Sequence, residues 1–270
     1  MIGSVSGAPG VTTMSLALAA AWPREADVGV RPVMVEADGS GGDLMMRFGL
    51  PSAPSLLDVA AAVGKPHPGS LLGAVSELPF GVRVVAAVPG RRPCTEAVRL
   101  LASEGGRGVL LGEEGVQGTV LLDVGRIGSE VEPLLRAAHQ VVLVARGGAE
   151  SLTHVSTYGL GAEAFAGRLT LAVVGPCPYP AEEIAGALGI ERVVFLPWDA
   201  KGVAAMSRRR RGVLRTTGFR VPPLMTAVRL LARQLDGRGE SQAEVQADGH
   251  IGRGLVPAMG DEGRPSWARR

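Results

Sequence analysis

The sequence predicts an α/β protein with a doubly wound, mostly parallel sheet, and three observations predict it. Short runs rich in Val, Leu and Ile recur along the chain. Ala/Leu-rich stretches with helical spacing separate them, long enough to be the crossovers that parallel pairing requires. Several runs end in Gly, Pro or Asp, and loops at the carboxyl ends of strands are where an open α/β sheet keeps its ligands.

The first run, Met1 to Val5, leads through a small-residue loop into a helix over Val11 to Trp22. Pro32 to Glu36 is the second predicted strand, followed by a helix over Pro54 to Val63. Next come the strand Val82 to Ala86 and the helix Cys94 to Ser103, then the strand Thr119 to Asp123 and the helix Glu130 to Ala138. The strands Gln140 to Ala145, Leu169 to Val174 and Arg192 to Leu196 complete the predicted sheet, with helices over Ser151 to Phe165 and Ala181 to Leu188 between them. Pro222 to Leu235 reads as a last amphipathic helix opened by two prolines. From Asp236 to Arg270 the chain is Gly-rich and polar without periodicity, which predicts a disordered tail after a single domain of residues 1–235.

With 270 residues, 46% of them hydrophobic and 20% charged, the chain can bury a sizeable core. Aromatics are only 4%, so the core must be built from Val, Leu, Ala and Met, and a base-stacking platform for single-stranded nucleic acid is disfavoured. Met45 and Met46 are most simply read as core or helix-packing residues. Lys+Arg 28 against Asp+Glu 26 gives a net charge of +2, which demands no polyanionic partner. Cys94 and Cys177 stand apart from each other and from any His at ligand spacing, and read as core thiols in a reducing compartment. No basic segment precedes an apolar run and no apolar stretch reaches about 18 residues, so the chain is expected in the cytoplasm, free or peripheral at the membrane, a cell pole or the nucleoid, and neither exported nor membrane-spanning. Gly3-Ser-Val-Ser6-Gly7 misses the nucleophile-elbow pattern, because Val5 occupies the nucleophile position.

The segment Ser6-Gly-Ala-Pro-Gly-Val-Thr-Thr13 has the layout of a phosphate cradle, running from strand to small residues to helix. Small residues let backbone N–H groups turn toward an anion, and the helix that follows presents its free N–H groups and positive dipole end. A tight strand-to-helix turn asks for the same residues, so the loop alone does not decide between the two readings.

The loop resembles the deviant Walker A motif of the ParA/MinD family of P-loop ATPases, Lys-Gly-Gly-x-Gly-Lys-Thr-Thr. Pro32-Val-Met-Val-Glu-Ala-Asp38 is similar to the family's second strand, which ends in Asp-x-Asp, and Val120-Leu-Leu-Asp123-Val-Gly125 is similar to its Walker B strand. Leu171 to Pro176 stands where the family has a strand ending in Asn-Arg, and Phe195-Leu-Pro-Trp-Asp199 looks like the strand ending in Pro-x-Asp near the adenine. The order holds from Met1 to about Leu235. The resemblance implies a P-loop NTPase three-layer sandwich binding ATP or ADP with Mg²⁺. It assigns the nucleotide to Gly7, Ala8, Pro9, Gly10, Val11, Thr12, Thr13, Pro176, Pro197 and Asp199, the metal to Thr12 and Asp123, and the orientation of the attacking water to Asp38. Within the family, the glycine-rich loop, the Glu36/Asp38 element and the Leu-Pro-Trp-Asp turn are most similar to the pilus-associated CpaE/TadZ branch and related actinobacterial MinD-like proteins, and partitioning ParA relatives look much the same.

The family's two lysines fall on Ser6 and Val11, so both positive charges are absent. A lysine beside the β- and γ-phosphates offsets charge as the transition state develops, which valine cannot do. Arg126 and Arg146 lie on loops from which an arginine could replace it, and each is equally read as a solvated surface residue. Two functions stay open at this point. One is a nucleotide-binding switch that hydrolyses ATP weakly or not at all and dimerises, in the manner of a nucleotide sandwich, to position a protein partner, the pilus or secretion machinery or the chromosome. The other is a pseudo-ATPase scaffold with no nucleotide dependence. Either accommodates non-specific binding of DNA or an anionic surface through Arg208, Arg209, Arg210 and Arg211.

Overall fold

The alternating apolar residues of each run bury both of its faces, as strands do when a sheet is covered on two sides. The computed structural model describes residues 1–7, 9–26, 29–65, 70–78, 81–111, 118–159, 165–206 and 221–236. Strand β1 (Ile2–Ser4) is followed by α1 (Val11–Ala21) and β2 (Val33–Glu36). Three short helices, α2 (Leu44–Phe48), α3 (Leu56–Ala61) and α4 (Ser70–Gly73), precede β3 (Ser76–Leu78) and β4 (Val82–Val85). Helices α5 (Arg91–Ala102) and α6 (Glu104–Leu111) lead to β5 (Val120–Arg126), and α7 (Glu132–Ala137), entered through a 3-10 turn at Ser129–Val131, leads to β6 (Val141–Arg146). Then come α8 (Ala149–Tyr158), β7 (Leu169–Val174), α9 (Ala181–Leu188), β8 (Arg192–Leu196), α10 (Ala200–Met206) and α11 (Pro223–Leu235).

The strands form one eight-stranded sheet in the order β3-β4-β2-β5-β1-β6-β7-β8, parallel except where β3 runs against β4. In β2, Val33 and Val35 enter one apolar core while Met34 enters the other. Leu56, Leu101, Leu134, Leu152 and Ile184 from α3, α5, α7, α8 and α9 fill the first core, and Leu18, Met206, Val228 and Leu231 from α1, α10 and α11 fill the second. The result is the expected three-layer, doubly wound sandwich. Helix α1 is apolar on nearly every side because it lies between the sheet and α11. The chain leaves β1 toward β2 and β4 on one side, returns through β5, and then builds β6, β7 and β8 on the other, so the crevice at the switch point opens above the carboxyl end of β1.

All seven predicted strands form, within a few residues of their expected bounds, and β3 adds an antiparallel edge that the sequence did not announce. Helices α2, α4, α6 and α10 are also additions. Gly159, at φ 66°, stops α8 well before the expected end at Phe165, and residues 160–164 lie outside the described residues. Met45 is buried as expected, but Met46 is 75% exposed, because the five-residue α2 turns that side outward. Cys94 is buried and donates from Sγ to the Val88 carbonyl, whereas Cys177 is only half-buried, in the loop after β7. Among the described residues no helix is long and apolar enough to cross a membrane. The expected tail beyond Asp236 and the run Arg208 to Arg211 lie outside the described residues.

Candidate functional site

Strand β1 approaches β5 so closely that a side chain at Gly3 would meet Val124 and Ile127 at 2.8 Å. The loop that follows turns on Gly7 at φ 65° and Gly10 at φ 98°, a left-handed conformation open to glycine at little cost. Gly10 is the N-cap of α1 and has no side chain with which to cap it. The first intrahelical bond runs from the Met14 N–H to the Gly10 carbonyl at 2.9 Å, leaving the N–H groups of Val11, Thr12 and Thr13 without helical partners. Val11 turns its side chain into the core at 6% exposure, so its contribution to the site is its backbone N–H. Ala8 lies outside the described residues.

On the β5 side of the loop stand three carboxylates. Asp123 is fully buried, and its Oδ1 accepts the Gly125 N–H at 3.1 Å. Its Oδ2 is buried and meets no donor in normal hydrogen-bond geometry. Burial pushes the Asp123 carboxyl up to about 7, opposed by the nearby Thr12 hydroxyl and the Gly125 N–H and reinforced by the charges of Glu36 and Asp38. Asp38 accepts both the N–H and the hydroxyl of Ser40, at 2.7 and 2.6 Å. Its carboxylate fills the space where a side chain at Gly125 would stand, and Gly125 itself sits at φ 56°.

Glu36 faces Asp123 across the β2–β5 pair and is 2% exposed. Its Oε1 accepts from the N–H groups of Asp43 and Leu44 at 2.9 and 3.2 Å, and its Oε2 from that of Ala87 at 2.9 Å. One buried side chain thus ties the segment carrying Asp38 to the end of β4. Burial pushes Glu36 up to about 7, against the pull of those three N–H groups and with the help of the neighbouring Asp43 charge. No separate role for Glu36 could be read from its motif; its one signal is a carboxylate at the end of an otherwise apolar strand.

On the other side of the loop, Pro9, Gly10 and Thr13 share a cleft of about 110 Å³ with Pro197, Asp199 and Arg146. Asp199 Oδ1 accepts the Gly202 N–H at 2.8 Å, capping α10, while its Oδ2 is buried without a partner. The Arg146 guanidinium lies 5.1 Å from the centroid of the Trp198 ring, which also lines the cleft. Pro176 is not among the lining residues, and its carbonyl packs against Gly147 instead. A larger cavity of about 390 Å³ lies at the opposite, amino ends of β1, β5 and β6, among apolar residues such as Leu18 and Leu121.

The expected residues therefore sort into two groups around one loop: Thr12, Asp38 and Asp123 toward β5, and Pro9, Gly10, Thr13, Pro197 and Asp199 toward β8. Among the described residues no group of three or more His, Cys, Asp or Glu is set to hold a metal by itself. One hydroxyl and one carboxylate suit Mg²⁺, which keeps several waters and takes most of its remaining ligands from phosphates. The orphaned Oδ2 of Asp123 beside Thr12 fits that donor set.

No family model and no curated relative matches the chain. Solved structures do. The septum site-determining protein MinD of Pyrococcus horikoshii, complexed with Mg-ADP, superposes with a TM-score of 0.64 at 17% identity over 90% of this chain and 97% of that one. The MinC:MinD cell division complex of Aquifex aeolicus gives 0.62 at 18% identity, over 87% and 94%. A Cyanothece McdA variant in complex with ATP gives 0.56 at 20% identity, over 87% and 95%. At these identities the likeness establishes the fold, which is that of the MinD and ParA ATPases.

Proposed function

We propose that the chain is a Mg²⁺-dependent nucleotide-binding protein of the MinD/ParA type that hydrolyses ATP slowly or not at all and acts through nucleotide-dependent self-association. The observation that carries this reading is the pairing of an uncapped helix N-terminus with the buried Asp123 carboxylate beside Thr12, whose Oδ2 meets no donor in normal hydrogen-bond geometry. A helix start without a capping side chain is costly unless water or a ligand meets its N–H groups, and phosphate is the ligand it meets best.

In this reading the N–H groups of Gly10 to Thr13 cradle the phosphates at one side of the cleft, and its Pro197–Asp199 side receives the base, with Asp199 Oδ2 offering an acceptor. Thr12 and Asp123 hold Mg²⁺, which when bound offsets the negative charge of the phosphates. Asp38, fixed by Ser40 and seated against Gly125, orients water at the open side of the loop. Glu36 holds the segment that carries Asp38. What is missing is a lysine: neither Ser6 nor Val11 carries charge, and Val11 points away. Loss of one charged transition-state donor removes about 100-fold or more of the rate. Binding therefore outlasts catalysis, and the nucleotide state persists long enough to set an assembly state.

That P. horikoshii MinD is complexed with Mg-ADP and that A. aeolicus MinD is complexed with MinC support a nucleotide-dependent partner-binding role by analogy of fold. The test is sedimentation velocity of the full chain alone, with ADP and with ATP, each with Mg²⁺. The reading predicts a shift toward dimer with ATP that Asp123→Asn abolishes, accompanied by slow or undetectable phosphate release. An assembly state unchanged by nucleotide, with melting temperature also unmoved at millimolar ATP, would favour the scaffold reading.

A further inference from the structure

The loop and the first turn of α1 can gather backbone N–H groups around an anion, but from Met1 to Ala21 there is no Lys or Arg. Partial charges at a helix start do not balance a di- or triphosphate bearing several full charges. A cation has to come from elsewhere in the fold. In the whole chain only Lys65 and Lys201 are lysines, and neither lines the cleft beside the loop. Arg146 does, and among the described residues it is the one basic side chain lining it.

Its position follows from the sheet. Strand β6 pairs with β1 in the register Ile2↔Val142 and Gly3↔Leu143, and Arg146 is its last residue, at the carboxyl end where the loop leaves β1. On the other flank of β1, Arg126 ends β5 level with Ser4, exposed and outside the cleft. Arg146 is exposed too, yet its guanidinium is placed over the Trp198 ring 5.1 Å away. Such a contact leaves the edge N–H groups free to meet oxygen atoms while it restricts the side chain to the mouth of the cleft.

We propose that Arg146 is a phosphate-binding residue, carried on β6 rather than in the loop, that supplies the positive charge the loop lacks, with Trp198 as its positioning residue. The ligand chemistry is the polyphosphate of a nucleoside di- or triphosphate, and the inference rests on the nucleotide-binding reading above. An arginine so placed binds phosphate oxygens bidentately, which a point-charge lysine at the same site does less well.

The experiment is titration calorimetry of the full-length protein and its Arg146→Ala and Arg146→Lys variants with Mg-ATP, Mg-ADP and adenosine. Melting temperatures serve as a folding control, since Arg146 is exposed. The proposal expects Arg146→Ala to weaken ATP about tenfold or more and ADP by less, to leave adenosine within about twofold, and to lower the salt dependence of ATP binding; Arg146→Lys restores part of the loss. Equal losses for ATP and adenosine would make Arg146 a partner of the base and overturn the proposal. Unchanged ATP affinity in Arg146→Ala overturns it while leaving the nucleotide-binding reading standing. A wild-type protein that binds none of the three overturns both.

Discussion

The burial of Asp123 is expensive without a ligand. Its carboxyl is pushed up to about 7, chiefly by desolvation, so below that pH it holds a proton where a metal ion would sit. Mg²⁺-dependent nucleotide affinity is therefore predicted to rise with pH from 5 to about 7, by about tenfold per unit at the steepest, and to level off above; titrations at four pH values check this. The same shift has a stability consequence. An acid whose folded pKa is raised binds more protons folded than unfolded, so its stabilising share is present below about pH 4 and is lost as pH rises through about 7. Glu36, also at about 7, acts in the same direction. Urea unfolding at pH 5 and pH 8 is predicted to lose less stability across that interval in Asp123→Asn than in wild type, the difference being on the order of 1 to 3 kcal/mol. Gly125→Ala belongs to this scale as well. With φ at 56° and the Asp38 carboxylate in the space a methyl would take, it is predicted to cost more than about 1 kcal/mol and to weaken nucleotide binding by displacing Asp38. Thr12, Asp38 and Asp123 were named as candidates through the resemblance of their surroundings to family motifs, and the folded chain sets Thr12 near Asp123 and the Asp38 carboxylate against Gly125. The Arg146–Trp198 stack was not legible as a pair, since it joins the ends of strands that the sheet, and not the sequence, brings together.

Among the elements, those with a strong apolar pattern were readable and the others were not. β7, α9 and β8 keep their expected bounds, and α11 begins one residue late, because apolar runs flanked by Gly and Pro fix both ends. β3 has three residues with Glu77 at its centre and lies on the sheet edge, so no alternation marks it. α6 contains Gly105, Gly106 and Gly108, a composition that argues against helix. It forms because Val109 and Leu110 pack into the core, a tertiary gain that overrides propensity. α5 starts at Arg91, ahead of the predicted Cys94, because Pro93 is tolerated in a first turn whose N–H groups lack helical partners anyway. α11 buries Leu224, Met225, Val228, Leu231 and Ala232 and packs on α1, so its apolar face covers the sheet layer and is not free for a lipid surface. Leu231→Ala is accordingly predicted to destabilise the protein by about 2 to 5 kcal/mol in urea unfolding, the cost of a cavity under α1.

At the scale of the whole molecule, the sheet gathers carboxylates on the β2–β5 side of one loop and an apolar cleft with an arginine on the β6–β8 side. The fold class followed from the alternation of runs alone, and the separation of the two halves of the site followed from the strand order, which only the folded chain reveals. The proposed function stands or falls with a Mg²⁺ site at Thr12 and Asp123 that makes nucleotide binding metal-dependent. The most direct measurement is calorimetric titration of the wild-type chain and of Asp123→Asn with ATP, with and without Mg²⁺. The expected result is binding by the wild type that strengthens at least about tenfold with Mg²⁺, and an Asp123→Asn variant whose weaker binding is indifferent to the metal. Binding of equal strength with and without Mg²⁺ in the wild type, or no heat in either condition, would contradict it.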